Sequence, residues 1–155
     1  MNHTTHLQLD DDVIAQFKSL YHRANDLVFA GRLPSHIAEI LQALVNVHQL
    51  MVSQWQNFEK TRGSGSTHDE ISFGTYKRSV EGYESLMNDF VSIFPQEGHE
   101  HAGIEGCAPT ETKALYALKD DFISNGLPFF THLKYCQFER SRDVLMRIEN
   151  PVLRA

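Results

Sequence analysis

Only two cysteines, Cys107 and Cys136, occur in this chain of 155 residues. Two thiols build no disulfide framework, and a domain of this size buries enough core to fold without one. Proline is also scarce, at five residues. Each lies where a helix is expected to start or stop. No apolar run approaches the roughly 18–20 residues that cross a bilayer, so no membrane partner is expected. Basic residues are outnumbered, 14 Lys and Arg against 20 Asp and Glu, for a net charge of -6. A nonspecific nucleic-acid binder needs the opposite balance to displace counterions from phosphates, so no nucleic-acid partner is expected.

Signatures of catalysis are missing too. The sequence holds no Gly-x-Ser-x-Gly elbow, no phosphate loop and no dinucleotide Gly-x-Gly-x-x-Gly. Di-iron bundles project Glu-x-x-His pairs inward, but Glu39, Glu59, Glu81 and Glu84 have no histidine three residues on. The start, "MNHTTHLQLDDD", lacks the basic and apolar regions of a secretory signal, and the expected location is the cytoplasm. No run alternates with period two, which excludes a predicted sheet.

What remains is rhythm. Val13, Phe17, Leu20, Ala24 and Leu27 step by four and three, which sets them on one helix stripe. Asp10 or Asp11 is placed to cap that helix, Gly31 to end it in a left-handed residue, and Pro34 to block continuation. Ile37, Leu41, Leu44, His48, Met51, Trp55 and Phe58 repeat the pattern from a Ser35 cap to about Arg62. After "GSGST", Thr67 and Glu70 have capping-box spacing. Phe73, Tyr76, Val80, Tyr83, Met87, Phe90 and Phe94 form the third stripe, closed by Pro95. Gly82 lies beside that stripe, where close approach of a neighbouring helix is expected.

Thr110 is predicted to start a shorter helix with Leu115, Leu118 and Phe122 on its face, stopped by "SNG" at 124–126. Pro128 is predicted to start the last helix, which carries Phe129, Phe130, Leu133 and Phe138 and ends at Asn150-Pro151. The expected fold is therefore all-α: an antiparallel up-and-down helical bundle of four long helices plus one shorter helix. One domain over residues 10–150 is expected, with a disordered tail at 1–9 and a second tail at 151–155.

Three groups of residues are candidates for function. The loop "PQEGHEHAGIEGCAP" brings His99, His101 and Cys107 together, and zinc or another transition metal takes two imidazoles and a thiolate. Three ligands leave a tetrahedral shell open, and His132 and Cys136, four residues apart on one helix face, are candidate donors to it. The competing reading is a polar loop. The tripeptide Met1-Asn2-His3 is a second, incidental place for Cu(II) or Ni(II). His48 is the one polar residue on its stripe, and with Tyr76 and Tyr83 it defines a core polar group or a pocket. Phe129 and Phe130, with Arg140, Arg142 and Arg147, are candidates for an interaction surface, although the interleaved acids also fit a solvated face.

The function expected from these features is a small cytoplasmic interaction or regulatory protein. It is expected to be non-enzymatic, to need no cofactor, and to bind a protein partner or itself as a homodimer. A metal- or ligand-binding bundle centred on the His/Cys loop is the first alternative. An enzyme with a pocket near His48 is the second.

Overall fold

A computed structural model describes residues 7, 9–61, 67–95 and 102–149, with the side chains of 67 and 143–149 excepted. Four helices make up the described chain: α1 (Asp11–Phe29), α2 (Ser35–Thr61), α3 (Thr67–Ser92) and α4 (Pro109–Glu149). No strand occurs among the described residues.

Local signals set most of the boundaries. The Asp10 carboxylate accepts the Val13 amide at 2.9 Å and caps α1. Gly31 takes φ +73°, and its amide reaches the Val28 carbonyl at 3.1 Å, so the chain leaves α1 through a left-handed residue. Pro34 precedes α2 and accepts the Ile37 and Ala38 amides. Pro109 occupies the first turn of α4, where its missing N–H costs nothing.

α1 packs on α2, α2 on α3, α3 on α4 and α4 back on α1. The direction alternates. Phe94, just past α3, meets Tyr116 near the start of α4, and Arg32, just past α1, bonds Glu111. At the opposite end Trp55 and Phe58 of α2 meet Tyr76 at the start of α3. Arg140 of α4 reaches Asp69 there. The result is a closed up-down-up-down bundle whose predicted stripes line one core. Leu7 and Leu9, placed by sequence in the N-terminal tail, pack against that core. Residues 1–6 and 150–155 lie outside the described residues.

The predicted fifth helix is absent, and this corrects the helix count. Residues 109–149 form one helix of 41 residues, with Gly126 and Pro128 in its interior. Proline normally costs a helix interior about 3 kcal/mol, because it lacks a donor and crowds the carbonyl four residues back. Tertiary contacts hold the turn together. The Tyr83 hydroxyl donates to the Phe122 carbonyl at 2.7 Å, and His48 reaches the Asn125 carbonyl at 3.4 Å. Phe122, Phe129 and Leu133 keep one buried face across the break. Local propensity stops a helix here; packing overrides it.

The close helix approach expected at Gly82 is found at another glycine. A β-carbon on Gly82 meets nothing within 4 Å, whereas one on Gly126 would stand 2.5 Å from the Tyr83 ring. Close helix approach therefore occurs at Gly126, on α4.

Candidate functional site

His48 sits at the centre of the bundle with 0% of its surface exposed. Its stripe position on α2 turns it inward, and aromatic rings from the other helices enclose it. Phe17 lies edge-on at 4.7 Å between centroids, Tyr21 and Tyr83 at 5.3 Å, and Phe129 at 5.8 Å. Both ring nitrogens are engaged. A carbonyl oxygen only accepts, so Nε2 carries the proton directed at Asn125. Nδ1 is then the acceptor, and the Tyr21 hydroxyl donates to it. One neutral imidazole thus ties α1 to α4 through α2.

The electrostatics follow from burial. Desolvation lowers the His48 pKa to about 4, and the bond to the Asn125 carbonyl opposes that shift only in part. Burial raises the Tyr21 and Tyr83 hydroxyls well above the usual phenol range, and the nearby Tyr21 raises Tyr83 further. All three groups therefore stay uncharged at neutral pH. With Nε2 protonated and Nδ1 accepting, His48 offers no lone pair to a metal or to a substrate.

Beside this hub, α1 and α4 leave a cleft of about 310 Å³ lined by Val13, Gln16, Phe17, Asn125, Pro128 and Phe129. His48 is not part of that lining. The Arg23 guanidinium pairs with Asp121 at 2.5 Å across the same seam.

Tyr76 does not join His48. It lies in the next core layer, stacked on Phe58 at 5.8 Å and tilted against Trp55 at 5.4 Å. Trp55 holds His132 edge-on at 4.2 Å, and His132 Nδ1 stands 3.5 Å from the Cys136 sulfur.

The proposed metal ligands divide between distant places. His99 and His101 lie outside the described residues. Cys107 is half-buried at the end of the bundle where α4 begins, and burial and the nearby Glu111 both raise its pKa. His132 and Cys136 lie roughly 35–40 Å further along α4, at 1.5 Å per residue. The unbroken helix keeps both away from Cys107. Among the described residues, no three His, Cys, Asp or Glu side chains gather as a metal site would require.

The second half of the loop is built into the fold. Ile104 is buried, the Cys107 amide closes a turn on the Ile104 carbonyl at 3.0 Å, and Tyr116 donates to the Ala102 carbonyl at 2.8 Å. Gly106 takes φ +80°, and a β-carbon there would stand 2.9 Å from the Pro34 ring.

The aromatic and arginine candidates also separate. Phe129 is fully buried and Phe130 half-buried against Tyr83, so the pair belongs to the core instead of forming a surface. Their positions on α4 face inward because the helix continues through Pro128. Arg140 folds back onto Asp69 at 3.3 Å and over the Phe73 ring at 4.3 Å. Arg142 is exposed, and the Arg147 side chain is outside the described residues. Phe138 is 63% exposed. That exposure was legible in principle, since Phe138 lies about 170° around the helix from the buried line of Phe129, Leu133 and Cys136.

Comparisons with protein-family models, with characterised proteins and with solved structures found no match to this chain.

Proposed function

We propose that the chain is a small non-enzymatic interaction protein that acts by pairing with a second copy of itself. The observation that carries this reading is the outer face of α4. Leu127 is 53% exposed and Phe138 63%, on a helix whose inner face is otherwise sealed into the core. Isolated exposed apolar residues are ordinary, but two on one line of one long helix make a face. The other exposed aromatic, Phe29, stands alone at the end of α1.

Support also comes from the core. His48, Tyr21 and Tyr83 are consumed in bonds that hold helices together. None of them lines the α1–α4 cleft.

Light scattering over a concentration series tests the reading. The mass should rise from one chain towards two as concentration increases into the hundreds of micromolar. A mass of one chain throughout would remove it.

A further inference from the structure

Resting on that reading, we infer that the pairing is an antiparallel two-fold contact between the outer faces of two α4 helices, centred on Thr131, with Phe138 as the inserted side chain. At about 100° per residue, Asp120, Leu127, Thr131, Phe138 and Arg142 fall within about 60° of one outward line. Asp120, Leu127, Phe138 and Arg142 are all exposed. Ile123, 37% exposed, borders them.

The charge order selects the direction. A parallel two-fold pairing would set Asp120, Lys134 and Arg142 each against its own copy, and like charges face to face are unfavourable. An antiparallel pairing about Thr131 sets each residue opposite the one equally far on the other side of the axis. Asp120 of one copy then faces Arg142 of the other, and the symmetry makes this ion pair twice.

The apolar residues fit the same register. Phe138 falls opposite residue 124, at the centre of the four positions Asp120, Ile123, Ser124 and Leu127. Those positions have the i, i+3, i+4, i+7 spacing that forms a hole for a knob on a facing helix. Phe138 of each copy enters the hole of the other, against Ile123 and Leu127. One register, fixed by charge, therefore also satisfies the apolar side chains.

The face is narrow. Three partly exposed apolar residues per copy imply a contact below the roughly 1,200 Å² of stable complexes, and so a weak, rapidly exchanging dimer. Association should weaken as salt rises, because the Asp120–Arg142 pairs lie at the exposed rim.

Sedimentation equilibrium at low salt, with circular dichroism as the check on folding, tests the register. Phe138→Asp should keep the helix content, since the site is exposed, and weaken dimerisation at least tenfold. Asp120→Arg and Arg142→Asp should each weaken self-association. Mixed in equal amounts, those two variants should form a heterodimer at least as tight as the native pair, because every charge again meets its opposite. A native dimer that ignores Phe138→Asp and the charge reversals would overturn this register while leaving self-association standing. A native chain that stays monomeric would overturn both.

Discussion

The Tyr83 ring occupies the space in which residue 126 would carry a side chain. A β-carbon built on Gly126 lies 2.5 Å from the ring edge, and the Tyr83 hydroxyl bonds the Phe122 carbonyl one turn earlier. A close approach of α3 to α4 thus falls two residues before Pro128. In an open helix, Gly→Ala stabilises by about 1 kcal/mol. At Gly126 the overpacking term, typically 1–3 kcal/mol, has the opposite sign and wins, because Tyr83 is fully buried and anchored at its hydroxyl. Gly126→Ala should lower the urea midpoint. Gly82→Ala, with nothing within 4 Å, should raise it. If both variants shift the midpoint in the same direction, the contact is not as described.

His48 makes stability depend on pH below neutrality. Its ordinary pKa of 6.5 falls to about 4 in the fold. Between those values the unfolded chain binds a proton that the folded chain does not, so acid favours unfolding. The stability from this group is fully present above pH 6.5 and is lost as pH falls towards 4. The difference, 6.5 minus 4, corresponds to about 3 kcal/mol at the acid limit, at about 1.4 kcal/mol per unit. Carboxylates also titrate in this range, so the comparison is with His48→Gln. The wild-type protein should lose about 3 kcal/mol more than the variant between pH 7 and 4. Parallel profiles would show that His48 is not buried in its neutral form.

The two tyrosines of the hub are not equivalent. Tyr21→Phe removes the donor to His48 Nδ1 and leaves a buried acceptor with no partner, which costs about 1–3 kcal/mol. Tyr83→Phe removes a donor from the Phe122 carbonyl, which still has the helix amide of residue 126, so about 1 kcal/mol is expected. Chemical denaturation of both variants at pH 7 should rank Tyr21→Phe as the more damaging.

Periodicity made the first three helices readable. Stripes such as Phe17-Leu20-Ala24 and Leu41-Leu44-His48 are buried as their spacing requires, and Asp10 and Gly31 mark the ends of α1 as their chemistry requires. His48 stood out because it broke an apolar stripe. Its partners did not stand out, since Tyr21 is 27 residues away and Asn125 is 77 residues away. The same non-locality hid the continuity of α4. Within residues 124–128, serine, asparagine, glycine and proline all favour a break, and the bonds that prevent one come from α2 and α3. Phe129, a candidate for a surface, is buried for the same reason. That it shares a buried face with Phe122 is fixed only once the helix is known to run unbroken through Pro128.

That continuity can be tested at Pro128 itself. The residue is exposed on α4 and has no N–H to give the Ser124 carbonyl, so the turn lacks one backbone bond. If packing alone holds the helix through this turn, restoring the missing donor should strengthen it. Pro128→Ala supplies the N–H and removes the ring from the Ser124 carbonyl. The expected gain is on the order of 1–3 kcal/mol, the upper figure being the full cost of an interior proline. Part of that gain is offset because proline also restricts the unfolded chain, by about 0.4–1 kcal/mol. Slower amide exchange over residues 124–132, together with a higher denaturation midpoint, would show one helix made more regular. A destabilised variant would mean that the geometry imposed by proline is itself needed to seat Phe129 beside His48.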